Sequence, residues 1–157
     1  MMFSPSAIAA YLLGVLTPVI IDFLTRGLGL RHQDLDARVN ELCSLTLEQA
    51  RRASEYWSLL PGDLRILALE AEIAGVDTYV GALMQHITEE FPQFETFLEN
   101  DPLFEFSDAV AGGDFQVANR QAEPVRARLI YASAYQLCLA LRRGRRATIF
   151  PPRLRWK

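Results

Sequence analysis

A chain of 157 residues is long enough for one domain with a sizeable core. Half of the residues are apolar and 22% are charged, which excludes a disordered chain and a polytopic membrane protein. The net charge of −3 is unevenly spread: residues 1–33 sum to +1, residues 34–114 to −13 and residues 115–157 to +9.

Residues 1–21 carry no charged side chain, and the apolar run AIAAYLLGVLTPVIIDFL fills residues 7–24. As a helix these 18 residues rise about 27 Å, close to the thickness of a hydrocarbon core. A signal peptide would want positive charge before the run and a small-residue cleavage site after it. A buried core helix would show a polar stripe. Neither pattern is present, so the sequence predicts an N-terminal transmembrane helix. Arg26, Arg31 and Arg38 follow the run. By the positive-inside rule they place the N-terminus outside and the body in the cytoplasm, as a single-pass protein of a bacterial inner membrane. Ser6, Ala10, Gly14 and Thr17 share one face at steps of four and three residues. Small residues let helices approach closely in lipid, which makes these four the candidate oligomerisation residues. The same residues also fit the ordinary composition of membrane helices.

After a linker GLGL at residues 27–30, Asp34 is placed to cap a helix with apolar residues at Leu35, Val39, Leu42, Leu45, Ala50, Ala53, Trp57 and Leu60. Thr46 to Gln49 fits a capping box, which allows a break near residue 45. Leu60-Pro61-Gly62-Asp63 reads as a stop and restart. The next pattern is Leu64, Leu67, Ala71, Ala74, Tyr79, Leu83, Ile87 and Phe91, ended by Pro92. Short helices fit residues 93–99 and 103–110. AGGDF at residues 111–115 is one letter from the GGDEF signature of cyclic di-GMP synthesis, but the glutamate is missing, with Phe115 directly after Asp114 and Gln116 next, and no strand precedes it. It reads as a helix-to-helix turn: Gly112 and Gly113 stop one helix and Asp114 caps the next. That last helix is expected to run to about Arg143, with a stripe at Phe115, Ala118, Ala122, Val125, Leu129, Ala132, Gln136 and Leu139. Glu123-Pro124 either kinks it or restarts it. The fold class is therefore all-α: a transmembrane helix followed by an antiparallel cytoplasmic helical bundle, with anchor and linker at residues 1–30, bundle at 31–143 and basic tail at 144–157.

Two histidines, His32 and His86, and two cysteines, Cys43 and Cys138, are the only residues of their kinds. No HxxxH, HExxH, CxxC, P-loop or GxSxG spacing occurs, so no catalytic residue, metal ligand, cofactor or small-molecule substrate is expected. The cysteines read as small core residues in a reducing cytosol. The tail LRRGRRATIFPPRLRWK holds Arg142, Arg143, Arg145, Arg146, Arg153 and Arg155, with Phe150 and Trp156 between them. These arginines are the candidate site for an anionic partner. Lipid headgroups, RNA, and the acidic stretch of the same or a neighbouring subunit all fit.

With its anchor at residues 7–24 and helical pattern at 34–143, the chain resembles small membrane effectors of bacterial antiviral systems. It is most like the HEPN-like membrane accessory proteins of type VI-B CRISPR loci, and the likeness is architectural along the whole chain. The resemblance implies a homo-oligomer that assembles as a membrane pore. Arg26 and His32 match the loose Arg-to-His spacing of HEPN ribonucleases. They straddle the glycine-rich linker rather than a helix end at a dimer cleft, so no catalytic residue is carried over. The expected function is that of a non-enzymatic, membrane-anchored, self-associating helical protein. The alternative is a membrane-tethered adaptor that binds a cytoplasmic protein or RNA.

Overall fold

A computed structural model describes residues 5–92, 94 and 102–149, and within the first helix it leaves out the side chains of residues 5–16, 19, 20 and 22–28. The protein is all-α: α1 Pro5–Ser58, α2 Ile66–Glu90, α3 Pro102–Ala111 and α4 Arg126–Ile149, with no strand among the described residues. The chain divides into two compact units, Met1–Leu35 and Asp36–Lys157, and the bundle is the second.

Among the described residues no helix is long and apolar enough to cross a membrane. Most side chains of the apolar run at residues 7–24 lie outside the described residues, and so do Ser6, Ala10 and Gly14 of the candidate oligomerisation stripe. Thr17 of that stripe is exposed.

The expected linker at residues 27–30 is helical, and α1 continues past Asp34 and past residue 45 without a break. Asp34 therefore does not begin a helix. Thr46, the expected capping-box residue, bonds back to the Leu42 carbonyl at 2.8 Å and is fully buried inside the helix. A threonine hydroxyl can satisfy itself on the preceding turn, so a box-like spacing need not end a helix.

Within the bundle, α1 buries Val39, Leu42, Ala50, Ala53 and Trp57, a stripe with helical period facing the other helices. Antiparallel pairing with α2 follows from Arg38–Glu90 (2.7 Å), Arg52–Glu72 (3.3 Å) and Tyr56–Glu70 (3.0 Å). Antiparallel pairing with α4 follows from Arg145–Asp36 at 2.6 Å and the mutual approach of Cys43 and Cys138. Glu70, Glu72, Asp77 and Glu90 of α2 thus reach α1, where Tyr56, Arg52, Gln49 and Arg38 receive them, while Glu89 accepts from Gln85 of its own helix.

The expected core stripes of α2 and α4 are displaced. α2 buries Leu69, Ile73, Val80, Met84 and Ile87, and leaves Leu64 and Leu67 at the surface. α4 buries Ile130, Ala134, Leu137, Cys138 and Leu141, and leaves Val125, Leu129 and Leu139 outside. Both helices are rich in alanine and apolar residues on more than one side, so two stripes compete and periodicity alone does not choose between them.

The Leu60-to-Asp63 turn is present: Gly62 has φ 87°, and the Asp63 carboxylate accepts from the Arg65 amide at 2.9 Å before α2 begins. α3 stops at the glycines, where the Gly112 amide bonds the Asp108 carbonyl at 2.8 Å and Gly113 takes φ 65°. Asp114 does not cap the next helix. Residues 112–125 form a loop, and α4 starts after Pro124, so the proline marks the restart, and the helix runs on to Ile149, beyond Arg143. Of the short helix expected at residues 93–99, only residue 94 is described.

Candidate functional site

The ends of α1 and α3 meet beneath the 112–125 loop. Neither helix has a basic residue in its own last turn to face the partial negative charge of its free carbonyls. Two arginines distant in sequence take that place. Arg120 is 2% exposed, lies 4.0 Å above the Tyr56 ring and donates to the Tyr56 carbonyl and to that of Gln121. Arg126 lies 3.9 Å above the Trp57 ring and donates to the carbonyls of Ala109 (2.9 Å), Asp108 (2.8 Å) and Gly112 (2.8 Å). Tyr56 and Trp57 stand edge to face at 5.2 Å, and the Trp57 indole N–H donates to the Val110 carbonyl at 2.8 Å. A guanidinium is weakly hydrated and planar, so aromatic faces and helix-end carbonyls can hold it; Arg126 adds a long ion pair to Glu123 at 3.8 Å.

The Tyr56 hydroxyl donates to Glu70 and accepts the Gln116 amide, both at 3.0 Å. Burial first, and then the Glu70 carboxylate, push this phenol above its ordinary range. Gln116 holds φ 63°, a left-handed conformation that places its N–H on the tyrosine. The arrangement is a structural clamp: its polar groups are turned inward.

Beside the clamp, between α3 and the start of α4, lies an open groove of about 920 Å³. Its walls include Phe104, Ala109, Val125, Leu129 and Ala132, with Glu105, Asp108 and Glu123 also lining it. Phe104 is 66%, Val125 75% and Leu129 63% exposed. The α4 residues expected to form a core stripe, from Val125 through Leu129 and Ala132 to Gln136, are the wall of this groove.

Of the arginines expected to meet an anionic partner, Arg142, Arg143 and Arg146 are exposed on α4, Arg145 is turned to Asp36, and Arg153 and Arg155 lie outside the described residues. His86 is exposed on α2, and His32 is partly exposed on α1.

The two cysteines, distant in sequence, face each other across α1 and α4. Each thiol lies against the other's carbonyl, at 3.9 and 3.7 Å, and both are buried. The Cys138 thiol hydrogen-bonds the Cys43 sulfur, and Arg142 adds positive charge, which together bring Cys43 down to about 7 against the opposing effect of burial. Cys138 is pushed well above the usual thiol range by the bond to Cys43 and by burial. No reading of spacing pairs residues 95 apart. Arg120 and Arg126 carried one faint signal: they are the first cations after the acid-only stretch that begins beyond Arg65.

Among the described residues no group of three or more His, Cys, Asp or Glu side chains is placed to hold a metal ion. In comparisons with known proteins, no family model matches the chain, and neither a curated protein nor a solved structure matches it.

Proposed function

We propose that this is a membrane-anchored, self-associating helical protein. The apolar run at residues 7–24, whose one charged residue is Asp22 near its end, would hold it in the bilayer, and the bundle would meet a second copy through the α3–α4 groove. The observation that carries the reading is the surplus apolar surface. α4 has one stripe for its own core, while Leu129 on α4 and Val125 in the loop just before it are left outside beside Phe104. Exposed apolar patches of this kind mark association surfaces. In its sharpest form the protein is an antiviral effector whose oligomer perturbs the inner membrane, because a single transmembrane helix lines a pore only as part of an assembly.

The test is the mass of the full chain solubilised in mild detergent. Several protomers per particle are expected. Leu129→Glu, which puts a carboxylate on the groove wall, should lower that mass without loss of helicity. Gly14→Leu should lower it as well if the N-terminal stripe packs in the membrane. A monomer at every concentration would sink self-association and leave the tethered adaptor as the reading.

A further inference from the structure

We propose that the solvent-facing side of α4 is a second membrane contact, which lays the bundle on anionic phospholipid headgroups. Its setting rests on the membrane reading above; its geometry does not. α4 holds six arginines and no acidic residue in RARLIYASAYQLCLALRRGRRATI. Three of the six are engaged with the fold: Arg126 clamps Trp57, Arg145 pairs with Asp36, and Arg142, though exposed, acts on the Cys43 thiol. The other three, Arg128, Arg143 and Arg146, point outward.

Arg128, Ala132, Tyr135, Leu139, Arg143 and Arg146 succeed one another at steps of three and four, so they form one stripe on the face opposite the buried Ile130, Ala134, Leu137 and Leu141. From residue 128 to 146 the stripe is about 27 Å long. Tyr135 is 57% and Leu139 45% exposed at its centre. Among the described residues Arg128, Arg143 and Arg146 have no ion-pair partner.

Cations at both ends of an apolar and aromatic centre match a bilayer surface. Arginines reach the phosphates while tyrosine and leucine enter the region between headgroup and acyl chain. A nucleic-acid strand would take the arginines but leave Leu139 unsatisfied, and it favours positive charge along its whole track. Each arginine near an anionic surface strengthens attachment about fivefold, so the three unpaired ones together account for roughly a hundredfold.

The experiment uses the full chain made in the presence of preformed vesicles, either phosphatidylcholine alone or phosphatidylcholine with about a third phosphatidylglycerol. Flotation with the neutral vesicles reports the anchor. The rate at which phenylglyoxal modifies each arginine, read by peptide mass, reports α4. Arg51, 62% exposed on α1, is the internal control.

Modification of Arg128, Arg143 and Arg146 should slow by about tenfold or more on the anionic vesicles, with Arg51 unchanged. The slowing should vanish in Leu139→Glu at unchanged helicity and persist when the three arginines are compared as lysine variants by flotation and lysine-directed acetylation. A chain that floats with both vesicles but whose α4 arginines react alike on each overturns the proposal while leaving the anchor intact. Flotation with anionic vesicles only, with protection, upholds the α4 contact and sinks the anchor. Protection by single-stranded RNA in place of phosphatidylglycerol makes the face a nucleic-acid surface and also overturns the proposal.

Discussion

At Trp57 one indole joins three elements: it ends α1, bonds the last turn of α3 and lies under the arginine that opens α4. Trp57→Phe keeps an aromatic ring but leaves the Val110 carbonyl buried and unpaired. We expect a loss of about 1–3 kcal/mol in urea unfolding; an unchanged midpoint would mean that the bond contributes nothing. The cysteine pair gives a pH signature. An ordinary thiol titrates near 8.5, while Cys43 is held at about 7 in the fold. Between those values the unfolded chain binds more protons, so stability should rise with pH from about 7 to about 8.5. Above that range the unfolded chain ionises both thiols while the raised Cys138 resists, so stability should fall again. Unfolding midpoints from pH 6 to 10 check this, and Cys43→Ser should remove the rising limb.

The helices of the bundle were legible in outline, because 3.6-residue periods mark them, but the glycines at 27 and 29 and the capping-box spacing at 46–49 were misleading punctuation inside the continuous α1. The core stripe of α1 was legible for the same reason: Val39, Leu42, Ala50, Ala53 and Trp57 have polar neighbours on the other sides. What failed was the choice of face on α2 and α4. Leu64 and Leu67 are as apolar as Leu69 and Ile73, and only tertiary packing decides which side is covered. The start of α4 failed because Asp114 is a good cap in isolation, whereas Phe115 is drawn onto Tyr56 at 5.1 Å and keeps the loop open. The candidate site was illegible beyond its charge, since the clamp brings together residues more than 50 positions apart and the groove depends on how α3 packs against α4. Glycines test the observed packing. Gly75 and Gly81 lie in α2 with open space where a Cβ would go, so alanine at each should add about 0.5–1 kcal/mol of stability. Gly144 would place its Cβ 3.1 Å from the buried Phe94 ring, so Gly144→Ala should destabilise despite the better helix former. Thermal melts of the three variants give the comparison; a gain at residue 144 would show that the Phe94 ring yields freely.

On the scale of the whole molecule, the opposite charges of the middle and the end of the chain do not simply neutralise each other. Most acids of α2 are received by α1, and most arginines of α4 are exposed, leaving the bundle with a basic side. The proposed topology follows from the arginines after the apolar run. A reporter active only in the periplasm, fused after Lys157, should be silent, and activity there would reverse the orientation.

The clamp has a consequence for how the protein is made. Trp57 and Tyr56 leave the ribosome early, but the arginines that cover them come 69 and 64 residues later. At typical elongation rates of about 5–20 residues per second, Trp57 waits roughly 3–14 s for Arg126. During that interval α1 is a nascent helix whose apolar stripe has no complete partner. A ribosome-stalled chain ending at residue 118 should therefore be cleaved by chymotrypsin after Tyr56 and Trp57, and one released at Lys157 should resist at both.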